Sequence, residues 1–440
     1  MNAGKILGAT VALVGIGLIV WAGATSWGNR AKSQADSSEA SSSSSVPLRP
    51  AEFQAPATPP LEAAVSSRTP KPTPIPINTA TPTPLWGNEP LVPTAPPLNL
   101  AKLEQTLKPT PASAPSPLPS SSQETRPPQQ SETIPLPQTA LDRFGVGVPY
   151  PPLQAEVAEK LGLGWHLAWR VLEHPSRLSG VAFWQMVRVS EDGFHPDKAA
   201  IQRASRANPG ANWLIGNEPD VIWQDNVTPE RYAEWYHELY YLLKKTDPTC
   251  RVAIGGVSQP TPLRLQYLDM VMSSYQARYD EAIPVDMWNI HNFILREKRN
   301  SWGVEIPPGL TADQGIVYEV DDHDNLEIFK AQITAFRQWM AKHGERNKPL
   351  IVSEYGILMP ADYGFDPERV QRFLYGTYQF MLNATGEEIG YPDDNNHLVQ
   401  RWAWYSLSDD RYPTGNLVDF ATGELTSLGK AHQGFVSRLP

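Results

Sequence analysis

Residues 212–220 read NWLIGNEPD, an apolar run that ends abruptly in Asn217, Glu218 and Pro219. Consecutive apolar residues that stop at turn-forming residues predict a strand buried on both faces, as in a parallel sheet. A carboxylate at the end of such a strand costs free energy unless it is paired or used. This stretch therefore predicts a parallel sheet and marks Glu218 as a candidate functional residue.

Strand-like runs recur on both sides of this stretch, and helical patterns alternate with them. The clearest helix is TPERYAEWYHELYYLLKKTDP (228–248), in which Thr228 can cap the first turn and Pro229 suits it. We count eight strands and seven or eight helices, because the helix after strand two is unclear. The strand-like runs are 144–150, 164–171, 181–189, 212–220, 250–257, 285–293, 349–357 and 399–407.

This alternation predicts the fold class of residues 141–440. Strands that are apolar along their whole length, alternating with helices, indicate a parallel sheet covered by helices. Eight such units in about 300 residues predict a single (β/α)₈ TIM barrel, whose chemistry is expected at the carboxyl ends of the strands. A doubly wound open sheet is the alternative, but it normally carries a glycine-rich phosphate loop after an early strand, and none is seen.

A second glutamate occupies the matching position on strand seven. Glu354 ends the run PLIVSEYG (349–356), as Glu218 ends strand four, so the two carboxylates would face each other across the barrel mouth. Glycoside hydrolysis needs one carboxyl group to protonate the leaving oxygen and another to attack or to activate water. Carboxyl groups about 5–5.5 Å apart give retention, and about 6.5–9.5 Å gives inversion. Two salt-bridged structural carboxylates are the alternative.

On these residues the domain resembles the clan-A-type retaining (β/α)₈ glycoside hydrolases, in which an Asn-Glu pair ends strand four and a second glutamate ends strand seven. It is also similar to the glycosyl hydrolase catalytic core group that contains small β-1,3-glucanases. The resemblance covers nearly all of 141–440 in element order and rests on Asn-Glu-Pro and Ser-Glu-Tyr-Gly. It implies that Glu218 is the acid/base, that Glu354 is the nucleophile, and that Asn217 binds the sugar hydroxyl next to the anomeric carbon.

The same resemblance implies three further substrate-binding residues. His291, in WNIHNF at the end of strand six, matches the position of a Tyr or His beside the nucleophile, although a satisfied core histidine is the alternative. Trp404, in RWAWYSL on strand eight, matches the aromatic floor beneath the sugar, with Trp402 on the same strand face as the alternative. Arg170 on strand two matches an arginine near the nucleophile, with Arg188 on strand three as its competitor.

Composition excludes several other classes of function. Residues 141–440 contain 28 basic and 39 acidic residues, and this negative balance argues against nucleic acid as a partner. A single cysteine, Cys250, excludes an internal disulfide framework and a multi-cysteine metal site. The acidic run EVDDHDN (319–325) fits no EF-hand loop and is interpreted as a solvated loop. No metal site and no cofactor are predicted.

The amino-terminal third predicts export. Residues 6–27 form an uncharged run of 22 residues, long enough to cross a bilayer core roughly 30 Å thick, so residues 1–30 are a membrane anchor or a cleaved signal segment. Residues 31–140 contain 24 of the 44 prolines and predict a disordered Pro/Ser/Thr-rich linker. A second Asn-Glu-Pro lies in this linker at 88–90, where no strand positions it, and is interpreted as a coincidence of composition.

The sequence therefore predicts a retaining O-glycoside hydrolase with three regions, 1–30, 31–140 and 141–440. The catalytic domain would lie outside the cytoplasm, tethered to the membrane by residues 1–30 or secreted if they are cleaved. We expect a monomer that acts on a β-linked glycan, with β-1,3- or β-1,4-glucan favoured by the resemblance. Two alternatives stay open at this point, a glycan-binding barrel without turnover and a scaffold or adhesion module on a stalk.

Overall fold

The computed structural model describes residues 136–149 and 152–439. The predicted anchor or signal segment and almost all of the predicted linker lie outside these ranges. Within them, no helix has both the length and the apolar character needed to cross a membrane.

The strands are β1 (Phe144–Gly147), β2 (Trp165–Leu167), β3 (Ala182–Ser190), β4 (Gly193–His195), β5 (Asn212–Asn217), β6 (Arg251–Gly256), β7 (Trp288–His291), β8 (Leu350–Gly356) and β9 (Arg401–Tyr405). The α-helices are α1 (Ala155–Lys160), α2 (Lys198–Ala207), α3 (Pro229–Thr246), α4 (Pro262–Tyr279), α5 (Leu326–Lys342), α6 (Pro367–Asn383) and α7 (Ser427–Val436).

Eight of these strands form a nearly closed parallel barrel. Parallel ladders run in the order β6, β5, β3, β2, β1, β9, β8, β7, and the short β4 pairs antiparallel with β3 outside this path. Between β6 and β7 the ladder is reduced to isolated parallel bridges, Ala253 with Met287 and Val257 with Ile290. The predicted TIM-barrel arrangement is confirmed for the described residues, and the open doubly wound alternative is wrong because the two end strands meet.

The barrel has an inner and an outer apolar layer, because successive side chains of a strand point to opposite faces. On β9, Ala403 points inward, whereas its neighbours Trp402 and Trp404 pack in the outer layer between strands and helices. The inner layer contains Trp165, Leu167, Trp184, Met186, Leu214, Ala253, Met287, Ile351 and Ala403. The single cysteine, Cys250, is buried in the outer layer at the start of β6, as expected for a small apolar residue.

An irregularity in β8 determines where Glu354 points. Val352 pairs with Trp402 and Tyr355 with Trp404, so three steps along β8 match two along β9. The ladder with β7 shifts at the same place, where His291 pairs with Glu354. Strict alternation from the inward Ile351 would turn Glu354 outward. The extra residue restores it to the barrel mouth, which is a common use of β-bulges near functional sites.

The end of β5 is irregular in a different way. Gly216 has φ +91° and Glu218 has φ +47°, both in the left-handed region. A Cβ on residue 216 would lie 3.1 Å from Cε2 of Tyr232 and 3.2 Å from Cγ2 of Val189, so this position suits glycine. A left-handed glutamate is uncommon and costs on the order of 1–3 kcal/mol unless its surroundings hold it in place.

The sequence left the helix after strand two unclear, and one further local feature differs from the sequence-based expectation. No α-helix follows β2, because residues 168–181 form bends and turns that lead directly into β3. Thr228 does precede α3 as its N-cap residue, but its hydroxyl caps no backbone N–H. It donates instead to Oε1 of Glu191, at 3.0 Å. The predicted helix is correct, and the capping role is wrong because the glutamate competes for the hydroxyl.

Candidate active site

Glu218, His291 and Glu354 meet at the carboxyl ends of β5, β7 and β8. Nδ1 of His291 lies 2.9 Å from Oε1 of Glu218, and Nε2 lies 3.9 Å from Oε2 of Glu354. His291 is fully buried, and each glutamate is less than a tenth exposed. One ring nitrogen and one oxygen from each glutamate fall within 4.8 Å of one another. The structure thus brings together three of the residues predicted from sequence.

The electrostatics of this cluster favour uptake of a proton. Burial raises the pKa of Glu354 to about 7, although His291 opposes the rise, while the nearby Glu218 adds to it. Burial alone would lower the pKa of His291, but the carboxylates of Glu354 and Glu218 prevail and its pKa is raised. Like charges and burial both disfavour a fully ionised carboxylate pair. The cluster can therefore hold and pass protons near neutral pH.

Trp169 provides the hydrogen-bond donor to Glu354. Its indole Nε1 donates to Oε2 of Glu354 at 2.8 Å, from a backbone position just after β2. The ring meets Tyr405 edge-on, with centroids 5.7 Å apart, and Tyr405 in turn donates its hydroxyl to Asp409. Tyr412 packs edge-on against Tyr405 at 6.1 Å. These rings form an aromatic wall beside the carboxylates, and such surfaces suit the C–H faces of sugars.

Trp404, predicted as the aromatic floor, lies elsewhere. It is fully buried in the outer layer, donates from Nε1 to the Gly415 carbonyl at 2.7 Å, and packs edge-on against Tyr355. A sugar in the barrel mouth has no access to it, so this prediction is wrong. Trp402 shares that face and fails for the same reason. Alternation places both tryptophans on one face of the strand, but it does not reveal which face is inside.

The two arginine candidates occupy different positions. Nε of Arg170 donates to the carbonyl of Ala168 at 3.1 Å, and the indole of Trp169 takes the place beside Glu354 that was expected for an arginine. Arg188 lies near enough to lower the pKa of Glu354. Its Nε pairs with Asp225 at 2.5 Å. Binding of substrate by Arg170 stays a prediction.

Asn217 is held so that its side-chain amide oxygen, Oδ1, is available to a ligand. Its backbone N–H donates to Oδ2 of Asp225 at 2.6 Å, and its Nδ2 lies 3.4 Å from Oε1 of Gln224. Its Oδ1 is buried and lacks a hydrogen-bond partner within the described protein, as does Nε2 of His291. Unsatisfied buried polar atoms are rare. These two atoms are therefore suited to a ligand hydroxyl, and the sugar-binding role of Asn217 stays a prediction.

A buried charged network, which sequence reasoning missed, supports the end of β5. Asp220 accepts hydrogen bonds from the hydroxyl of Ser258 at 2.8 Å and from Nε of Arg264 at 2.9 Å. Arg264, fully buried on α4, also pairs with Glu297. Burial raises the pKa of Asp220, although Arg264 opposes this. The one available signal was that an aspartate directly follows Asn-Glu-Pro here, whereas Leu91 follows the copy in the linker.

The acidic loop at 319–325 is organised by its histidine. His323 is buried, and Nε2 accepts from the backbone N–H of Leu358 at 2.9 Å. Nδ1 therefore carries the proton and donates to the Ile294 carbonyl at 3.0 Å. The histidine thus joins the loops that follow β7 and β8 and is not available as a cation ligand.

Glu218, His291 and Glu354 also approach the spacing of a metal site. Two ligands of one tetrahedral zinc ion lie about 3.4 Å apart. Nε2 of His291 is farther than this from Glu354, at 3.9 Å, and Nδ1 is hydrogen-bonded to Glu218. The separation of His291 and Glu354 is thus wider than two ligands of a tetrahedral zinc ion require.

No protein-family model and no curated protein matches the sequence. Solved structures with a similar fold include a GH128 subgroup II endo-β-1,3-glucanase from Pseudomonas viridiflava, with 18% identity over 68% of this chain and 98% of that chain and a TM-score of 0.45. A subgroup I endo-β-1,3-glucanase from Amycolatopsis mediterranei, in complex with laminaritriose, has 18% identity over 67% and 99% of the two chains and a TM-score of 0.46. A subgroup III curdlan-specific exo-β-1,3-glucanase from Blastomyces gilchristii has 18% identity over 67% and 99% and a TM-score of 0.45. All three of these neighbours are named as β-1,3-glucanases.

Proposed function

We propose that the chain is a glycoside hydrolase that cleaves a β-linked glucan with retention of configuration. The observation that carries this proposal is the cluster at the barrel mouth, where Glu218, His291 and Glu354 have polar atoms within 4.8 Å of one another. All three are buried, and aromatic rings lie beside them. Two close carboxyl groups of unequal environment are the arrangement that glycoside hydrolysis requires.

In the proposed reaction, Glu354 attacks the anomeric carbon as the C–O bond to the leaving sugar breaks. Glu218 gives its proton to the leaving oxygen, and a glycosyl ester on Glu354 results. Glu218 then takes a proton from water, whose oxygen displaces the ester and restores both carboxyl groups. The short distance between the carboxyl oxygens favours direct attack, because an interposed water needs carboxyl groups about 6.5–9.5 Å apart. His291 is hydrogen-bonded to Glu218 and holds that carboxyl group in the barrel mouth.

The substrate class and the location are proposed from features of the sequence. A β-1,3- or β-1,4-glucan follows from the resemblance of the sequence, and export follows from the apolar run at 6–27. In this proposal residues 1–30 anchor the chain or direct its secretion, residues 31–140 act as the spacer, and residues 141–440 form one monomeric catalytic domain. Protease accessibility of the barrel on intact cells tests the location, and light scattering of the purified chain tests the monomer.

The decisive experiment is to incubate the full-length chain with β-1,3- and β-1,4-glucans and to measure new reducing ends. Glu218→Gln and Glu354→Gln are the matched variants, since they change charge but little in shape. Proton NMR of the first-formed product gives its configuration. We expect activity that both substitutions abolish, with the β-anomer formed first.

The other outcomes each overturn a different part of the proposal. If the α-anomer forms first, the retaining mechanism is wrong and water attacks directly. Binding of glucan without any turnover would make the chain a glycan-binding barrel. Neither binding nor turnover on any glucan would leave the two glutamates as structural groups of a scaffold or adhesion module.

A further inference from the structure

Trp169 has a strained backbone conformation that a specific interaction must hold in place. It follows β2 with φ +48°, in the left-handed region, where a bulky residue is an outlier. Strain of this kind persists only where the surrounding structure enforces it, and it concentrates at functional sites. The enforcing contact is the indole hydrogen bond to Oε2 of Glu354 at 2.8 Å.

The barrel makes room for this ring. A Cβ added to Gly147, at the end of β1, would come within 2.8 Å of Cη2 of Trp169. The indole also packs edge-on against Tyr405, on β9. The ring is therefore fixed from two neighbouring strands, and its N–H has a defined direction.

We propose that Trp169 is a positioning residue for Glu354, whose Oε2 it fixes by a neutral N–H donor where the resemblance expects an arginine. This inference rests on the proposed function. Once Oε2 is held, the other oxygen is directed toward the anomeric carbon. Because the indole carries no charge, it orients the carboxylate without the strong electrostatic stabilisation that a guanidinium would add. The reaction then depends on pH through Glu354 itself.

The groups around Glu354 agree with this role. The Trp169 hydrogen bond and the more distant Arg188 both lower the pKa of Glu354, but burial prevails and leaves it at about 7. Loss of the hydrogen bond should therefore raise that pKa further. The titratable or charged groups that act on Glu354, or on which it acts, are Glu218, His291, Arg188, Tyr405 and Tyr412.

The test is Trp169→Phe in the full-length chain, which removes the N–H and keeps an aromatic ring. We expect kcat at pH 6 to fall by roughly 10-fold, KM to change by less than about twofold, and the acid limb of the pH–rate profile to move to higher pH. Trp402→Phe is the matched control, because Nε1 of Trp402 is buried and has no hydrogen-bond partner among the described residues. It should leave the profile unchanged. An unshifted profile in Trp169→Phe, or a loss confined to KM, would overturn the positioning role.

A second variant and a second readout separate this inference from the proposed function. Gly147→Ala keeps the indole but displaces it, and should shift the profile in the same direction. Carbon-13 NMR titration of the Glu354 carboxyl, assigned with Glu354→Gln, follows its ionisation without any substrate. If the Trp169→Phe titration midpoint rises but no glucan is cleaved, the proposed function fails and the Trp169–Glu354 interaction stands. If glucan is cleaved and the midpoint does not move, the inference alone fails.

Discussion

Glu218 and Glu354 end two strands of one barrel, yet the protein positions them by opposite means. At Glu218 the backbone itself is left-handed, and the chain beyond it is clamped by the buried Asp220–Arg264 ion pair. At Glu354 the strand remains extended, an extra residue in the ladder sets the direction of the side chain, and a single indole N–H holds it. A left-handed backbone and the hydrogen bond with His291 restrain Glu218, whereas the indole hydrogen bond restrains Glu354.

This difference indicates which changes each glutamate tolerates. The support of Glu218 is ionic and buried, so its failure should affect folding. The support of Glu354 is neutral and next to the reacting group, so its failure should affect ionisation and turnover. The comparison leads to three predictions, beginning with the largest effect.

Removal of each glutamate, followed by addition of azide, tests the two assigned roles most strongly. Glu218→Ala and Glu354→Ala should each lower kcat on a dinitrophenyl β-glucan oligosaccharide, and the loss for Glu354→Ala should exceed about 10³-fold. Azide added to Glu218→Ala should give the β-glycosyl azide, because it attacks the ester on Glu354. Azide added to Glu354→Ala should give the α-azide. Product NMR decides, and the reverse pairing would exchange the two roles.

Arg264→Met tests the ionic support of Glu218. The substitution leaves Asp220 and Glu297 buried without their common cation, and should lower the free energy of unfolding by about 3–5 kcal/mol. Urea denaturation followed by circular dichroism measures it. Lys160→Met, which removes an exposed partner of Glu156, is the matched control and should leave stability unchanged within error. A loss in Arg264→Met no larger than the control would show that the network carries no stability.

Glu354→Gln tests the pH dependence of stability. Burial raises the pKa of Glu354 from 4.5 to about 7, so its contribution to folding is fully present below pH 4.5 and is lost as pH rises through about 7. The neutral variant avoids this loss. It should be more stable than the native chain at pH 8.5 by on the order of 2 kcal/mol, and the difference should vanish near pH 4. A difference independent of pH would contradict the raised pKa.

Sequence periodicity predicted the barrel, the order of its strands and the two glutamates, because these depend on which runs are apolar and where they stop. The family resemblance predicted Trp404 wrongly, since alternation groups Trp402 with Trp404 without showing that their face is the outer one. It selected Arg170, one residue beyond Trp169, because the direction of side chains after β2 depends on a left-handed residue. The extra residue in β8 could not be predicted from the sequence either, since a bulge is defined by the pairing of its strand with the neighbouring strands.

The reduced pairing between β6 and β7 has a consequence for motion. Every other junction around the ring is a continuous ladder, whereas this one consists of isolated bridges with separate backbone hydrogen bonds such as that from His291 to Val257. Its amide protons should therefore be the first in the barrel wall to exchange with solvent. Glu218 belongs to the β5–β6 side of this seam, and His291 and Glu354 belong to the β7–β8 side. Transient opening of the barrel wall between β6 and β7 would thus separate the two glutamates. A ligand that contacts both glutamates would stabilise the closed wall.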